Sequence, residues 1–323
     1  MDIITIDFET YYSKDFGFRK QTTEQYVRNP DFEVIGVGVK VNDGKTKWLS
    51  GEFNDLKTYL HDNYAWEDCG VLAHNTLFDG AILHWLFGIR PRVYFDTLSM
   101  ARAIHGVDAS GSLKKLAEMY GIGQKGTEVL SAEGKRRNDF SEKELDKYGD
   151  YCVNDVELTY KLFDIFMTKR YFPHKELKVI DMTLRMFIEP ILELDVNKLD
   201  DHLDSLKAQK DKLLSESGVE LENLMSNNKF ADLLRGMGVE PPMKISTRTG
   251  KETYAFAKTD EGLKALQEHE DINVQTLVAA RLGLKGTLEE TRTERFLDIA
   301  TRGKQMPVPI KYYAAHTGRW GGY

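Results

Sequence analysis

Two carboxylates spaced two apart, Asp7 and Glu9 in IDFET, follow the apolar run IIT almost as soon as the chain begins. Side chains at i and i+2 of a strand project to one face, so these acids would stand side by side. They would repel unless something cationic lay between them, and a divalent metal is the obvious candidate. The pair is weak evidence alone, because on the order of two DxE triplets arise by chance in a chain of this composition. Its ordinary reading is a solvated strand end.

Two further signals follow in the chain. In AHNTLFDG, Asn75 precedes Asp79 by four residues with Phe78 adjoining, where a strand hands over to a helix. The ordinary reading has Asn75 capping that helix and Asp79 facing water. In YCVND, Tyr151 and Asp155 are four apart and share a helix face, which also suits a packed tyrosine beside a surface aspartate. Each motif is unremarkable singly, but all three occur in order at places from which the acids could converge on one cleft.

The elements that must position them can be read from periodicity and turn residues. IITI is a first strand, EVIGVGVKV (Glu33 to Val41) a second, and KTKWLS beyond the NDG turn its hairpin partner. A helix is predicted over Asn54 to Asp62, then the strand VLAH, a helix over Leu77 to Phe87 and the strand VYFD. Ser141 with Glu144 forms a capping pattern that opens a helix running to about Arg170. Three hairpin-like strands followed by βαβ units imply an α/β fold, a mixed sheet with helices packed on it. Beyond Phe172 the chain turns mainly helical. There Lys198 to Glu216 reads as a long polar amphipathic helix, an arm more than a core element, and ISTRTGKETY reads as a loop.

Bulk properties bound the function. The 323 residues, 41% hydrophobic and 29% charged, suit a folded protein of about two domains. No apolar run approaches a membrane span and no signal-peptide pattern is present, which predicts a cytoplasmic protein without a membrane partner. Cys69 and Cys152 lie far apart with no metal-ligand spacing, so reduced, inert thiols are expected. A net charge of -7 argues against a non-specific nucleic-acid coat yet leaves local basic clusters free to bind, since the local field governs binding.

Taken together, Asp7 and Glu9, Asp79 in NTLFD, and Tyr151 with Asp155 resemble the DEDD exonuclease superfamily, in the subgroup with a tyrosine four before the last aspartate. The resemblance covers roughly residues 1 to 170 and includes FDT (Phe95 to Thr97) and SLKKLAEMYGI. It implies a ribonuclease H-like fold and phosphodiester hydrolysis by two divalent ions, Mg2+ or Mn2+. In that scheme Asp7 bridges the ions, Glu9 and Asp155 complete one site and Asp79 supports the other. Tyr151 orients the attacking water, being too weak an acid to serve as a base. The implied product is a nucleoside 5′-monophosphate released from a 3′ end.

From about Leu177 the chain resembles family A DNA polymerases of the polymerase I type, as phages carry them. NLMSNNKFADLLRGMGVEPP is similar to their thumb, where Asn228 and Lys229 would meet the duplex backbone; Arg281 and Lys285 have the spacing of the helix before the palm. HTGRW resembles the entry to the palm, where Arg319 would touch the primer-terminal pair, and Asn75 is a further expected DNA contact. The expected division is an exonuclease domain over 1–172, a helical thumb region over 173–300 and the start of a palm over 301–323. The palm's metal-binding aspartates and the fingers are missing, so polymerisation is not expected of this chain. That leaves a proofreading-type exonuclease on a truncated or split polymerase, with single-stranded 3′ ends and primer-template as partners and a second polypeptide to supply palm and fingers. Two alternatives stay open: a DNA-binding and assembly subunit whose exonuclease is silent without its partner, and an RNA 3′ exonuclease of the same superfamily. Ser13 departs from the bulky apolar residue frequent in the family near the exonuclease site, which leaves the packing of the terminal base open.

Overall fold

The first strand does not stop before the acids. In the computed structural model, which describes residues 1–126, 132–303 and 305–322, β1 (Ile3–Thr10) carries straight through Asp7 and Glu9. Along the chain follow α1 (Thr23–Val27), β2 (Val34–Val41), β3 (Lys47–Leu49), α2 (Phe53–Asn63), β4 (Gly70–Ala73), α3 (Thr76–Trp85) and β5 (Val93–Asp96). Next come α4 (Thr97–His105), α5 (Leu113–Tyr120), α6 (Glu142–Thr168), α7 (His174–Ile188) and β6 (Leu192–Glu193). The five-stranded sheet has the order β3-β2-β1-β4-β5. β1 is antiparallel to β2 and parallel to β4, which gives the mixed sheet that the motif order predicts.

Chain contacts divide the molecule into two units, Met1–Glu193 with Gln305–Tyr323, and Leu194–Lys304. In the first, α6 begins at Ser141, whose side chain and that of Glu144 close a reciprocal capping box. Its buried stripe, which includes Tyr148, Tyr151, Cys152, Asp155, Val156 and Thr159, recurs every three or four residues and faces the sheet. The seam is close because β2 carries glycines there: a Cβ on Gly38 would stand 2.8 Å from Val156 Cγ2 and 3.0 Å from Cys152 Sγ. Trp48 of β3 fills the neighbouring space, and a Cβ on Gly36 or Gly149 would fall within 2.5 Å of its ring. On α3 and β5 rests α7, with the Trp85 indole N–H donating to Ile188 O (2.8 Å) and Asp181 accepting the Tyr94 N–H (2.8 Å). The unit closes with β9 (Gln305–Met306), antiparallel to β6, and with β10 (Ile310–Lys311), antiparallel to β11 (Gly321–Gly322). The late glycines thus pair as strand.

The second unit holds α8 (Val196–Ser217), α9 (Leu221–Met225), α10 (Asn227–Gly236), β7 (Met243–Ile245), β8 (Glu252–Tyr254), α11 (Glu261–Gln267), α12 (Ile272–Lys285) and α13 (Leu288–Arg302). Its core gathers Leu224, Phe230, Leu234, Leu263, Val274 and Val278. Two expectations change here. The polar helix α8 is no bare arm, because it lies along α12 and α13 with Leu213 seated where Gly283 has no side chain. The stretch ISTRTGKETY is a hairpin turn flanked by β7 and β8, a short alternating pattern hidden among turn formers.

Arg281 corrects the expectation of a DNA contact. The side chain is fully buried, its guanidinium lying 4.3 Å from the ring centre of Phe230 and 5.0 Å from that of Phe256. It donates to Leu224 O, Ser226 O and the Asn227 side chain, satisfying carbonyls at the end of α9, so no surface is left for a phosphate. Burial depresses its pKa to about 10.

Two substitutions test this architecture. Arg281→Ala strands buried carbonyls and is expected to cost about 3 kcal/mol in denaturant unfolding. Gly38→Val pushes α6 off the sheet. It should lower the melting temperature and, at temperatures where the protein is still folded by circular dichroism, weaken divalent-ion binding.

Candidate active site

Asp7 and Glu9 emerge on the sheet face beneath α6, each opposite a glycine of β2: Asp7 pairs with Gly38 and Glu9 with Gly36. Helix α6 brings Tyr151 and Asp155 to the same place, one turn apart. These four side chains line one pocket of about 440 Å³. Asp79 stands behind them in the first turn of α3, nearly fully buried, its Oδ1 accepting the Phe8 N–H at 2.9 Å. It is no solvent-facing helix residue, and its charge reaches both Asp7 and Glu9.

The electrostatics of this cluster are severe. Burial, then Glu9, Asp79 and Asp155 in turn, push the Asp7 carboxyl well above the usual carboxylate range. Burial lifts Glu9 to about 7, with the Tyr148 hydroxyl partly offsetting it, and burial lifts Asp79 to about 7 against the Phe8 N–H. The Tyr151 hydroxyl is raised too, first by burial and then by Asp155, Glu9 and Asp7, so it stays protonated.

Sequence reasoning missed several participants. Lys125 reaches in from the stretch after α5 and forms an ion pair with Asp155, its ammonium 5.2 Å from the ring centre of Tyr151. Burial would lower its pKa, but Asp155, Asp7 and Glu9 reverse this and raise it. No periodic element ties residue 125 to the acids, so nothing in the sequence marks it. Tyr148 does carry a signal, lying three before Tyr151: Phe140, Tyr148 and Tyr151 stack in series at 5.5 and 6.2 Å between centroids. Cys152 sits behind the acids with its thiol donating to Asp7 O at 3.2 Å; one Asp7 oxygen, one Glu9 oxygen and Cys152 Sγ lie within 4.8 Å of one another.

The expected nucleic-acid contacts scatter. Asn75 is the N-cap of α3 but its side chain makes no capping bond. The residue is left-handed (φ 78°), and its N–H is held by Asp96 Oδ1 at 2.9 Å. Ser13 lies on the wall of the acid pocket. In the second unit Asn228 and Lys229 are exposed at the start of α10, Lys229 pairing with Glu222 at 2.5 Å, while Lys285 reaches Asn227 Oδ1 at 3.3 Å. Arg319 is exposed beside Trp320 and donates to Thr317.

The mixed sheet with its flanking helices is a ribonuclease H-like α/β architecture. Residues 19–170 match the family described as 3′-5′ exonuclease, so this part of the chain is similar to the exonuclease domains of polymerase A type proteins. The chain also resembles a solved polymerase domain in fold. It is similar to the POL domain of Pol1 from M. smegmatis, solved with a DNA primer-template and dNTP, at a TM-score of 0.58 and 14% identity, over 99% of this chain and 50% of that one. Brucella melitensis NrnC aligns at a TM-score of 0.43 and 17% identity over 56% of this chain and 81% of its own. No curated protein matches the chain in sequence. Among the described residues no helix is long and apolar enough to cross a membrane.

A carboxyl whose folded pKa is raised adds stability below its unfolded value that is lost as pH rises through the folded one. With Glu9 and Asp79 raised from 4.5 and 3.8 to about 7, the protein in EDTA should melt at falling temperature from pH 5 to 8. Asp79→Asn should flatten that slope, and Mn2+ should restore the melting temperature at pH 8, read by thermal-shift titration.

Proposed function

We propose that this chain is a divalent-metal-dependent 3′-5′ exonuclease of the proofreading type, removing nucleotides from DNA 3′ ends. The observation that carries this reading is the gathering of Asp7, Glu9, Tyr151 and Asp155 in one pocket, with Asp79 buried behind them and close enough to raise the Asp7 pKa. The donor set fits hard cations: it offers carboxylate oxygens, burial raises the pKa values of Asp7, Glu9 and Asp79, and an ammonium, Lys125, already stands among them. Asp7, Glu9 and Asp155 would hold one ion and Asp7 with Asp79 the other, and the pair supplies an acidified water and charge compensation for the leaving 3′ oxygen. A share in both ions would suit Asp7, whose carboxyl feels the charges of Glu9, Asp79 and Asp155.

The chain's own groups do the rest. Tyr151, still protonated, orients the incoming water through its hydroxyl and takes no proton itself. Tyr148 lies near enough to Glu9 for its hydroxyl to favour the charged form of that carboxyl. Asp79, fixed by the Phe8 N–H, cannot swing away as charge builds. Binding of primer-template through Asn228, Lys229 and Lys285 of the second unit and through Arg319 of the first belongs to this reading.

The test is a 3′-labelled single strand incubated with Mg2+ or Mn2+, beside an RNA of equal sequence. Stepwise shortening to 5′-monophosphates is expected, abolished by EDTA. Asp7→Ala should slow it roughly 1000-fold, the scale of losing a central electrostatic group, and Tyr151→Phe about 100-fold, with KM little changed. Shortening of RNA alone, or shortening that survives Asp7→Ala, overturns the proposal.

A further inference from the structure

Tyr148 stands on the buried stripe of α6 one turn before Tyr151 and Cys152, and it lines the acid pocket together with Glu9. Only 3% of the residue is exposed, and its ring is clamped. Phe140 stacks on it at 5.5 Å with the planes 6° apart, Tyr151 stacks at 6.2 Å and 14°, and Trp48 meets it edge-on at 6.5 Å. A ring packed against three others cannot swing, so the direction of its hydroxyl is set.

Buried tyrosine hydroxyls ordinarily find a partner, as Tyr26 does in Thr10 Oγ1 at 2.9 Å and Tyr312 in Glu176 Oε2 at 2.6 Å. The Tyr148 hydroxyl is enclosed as well, yet among the described residues it has no hydrogen-bond partner. An orphaned buried donor is costly, and it is repaid only when an acceptor moves into bonding geometry. Glu9 is the acceptor at hand, close enough for the hydroxyl to favour the charged form of its carboxyl. Glu9 pairs with Gly36, and the space a Gly36 side chain would take is filled by Trp48, so one indole braces both the strand beside Glu9 and the ring of Tyr148. A carboxylate has two oxygens, and one that binds an ion through the first keeps the second free for a donor. Donors placed in this way fix the orientation of a ligating carboxylate.

We propose that Tyr148 is a positioning residue of the ion site: when Glu9 takes a divalent ion on one oxygen, the clamped Tyr148 hydroxyl donates to the other and locks the carboxylate. This rests on the ion-binding part of the exonuclease reading. Its consequence is a pair of opposite effects. In the ion-free protein the hydroxyl makes no bond, so removing it costs nothing in stability. In the ion-loaded protein the same removal forfeits a hydrogen bond to a charged group.

The experiment titrates the full chain with Mn2+ at pH 8, reading free Mn2+ by electron paramagnetic resonance, beside thermal melts in EDTA. Tyr148→Phe should weaken Mn2+ binding about tenfold, the scale of losing a donor to a ligating group, while its melting temperature in EDTA equals or exceeds that of the wild-type chain. In a Glu9→Gln background, Tyr148→Phe should weaken Mn2+ binding no further, because the hydroxyl acts through Glu9. Wild-type Mn2+ affinity in Tyr148→Phe overturns the positioning role, even in a chain that shortens DNA in an Asp7-dependent way. A loss of affinity that persists undiminished in the Glu9→Gln background overturns it too, as does a lowered melting temperature in EDTA with Mn2+ binding intact, the mark of a merely structural tyrosine. Mn2+ binding that couples Tyr148 to Glu9 in a chain that cleaves nothing upholds the positioning role and sinks the exonuclease reading.

Discussion

Four carboxylates share one buried neighbourhood, and the rest of the first unit can be understood as what makes that tolerable. Placed there without compensation they could not all ionise. Two of them come from a single strand and point the same way by the geometry of the pleat. The third is tethered from behind by the backbone of that strand, and the fourth comes down on α6. The approach of α6 is set by the absence of a side chain at Gly38, directly across from Asp7. A glycine on one strand thus fixes how near a helix can bring an acid to another strand.

The ammonium of Lys125 shows the other side of the same constraint. It is the cation the chain supplies for itself, paired to Asp155 and close enough to Asp7 and Glu9 to oppose their raised pKa values. Protons on Glu9 and Asp79 supply the remaining compensation near neutral pH. Both compensations are replaceable by charge of higher density, which is why the donor chemistry points to divalent ions.

Much of the first unit was legible because its signals are local. Apolar runs bounded by NDG, the capping pair Ser141 and Glu144, and the i, i+4 spacing of Tyr151 and Asp155 each fix an element or a face within a few residues. Where the reading failed, the deciding contact lay far off in sequence. Asp79 faces inward because Phe8, 71 residues earlier, offers an N–H. Lys125 meets Asp155, 30 residues later, from a position that no periodic element marks. Arg281 looked like a surface cation from its spacing, but its fate was set by two carbonyls at the end of α9 and two phenylalanine rings. Charge type says nothing about burial when the partners are backbone atoms. The hairpin of β7 and β8 was hidden by its own turn residues, and α8 by its polarity, since only Leu203 is fully buried along it.

Cys152 has a use that follows from where it stands. Its sulfur is wholly enclosed between α6 and β1, and its pKa is pushed well above that of an ordinary thiol, first by burial and then by Asp7 and Glu9. Alkylating reagents can reach it only when helix and strand part. The speed at which this natural probe is modified is therefore a clock for how often the seam breathes, readable by mass spectrometry on the unaltered protein.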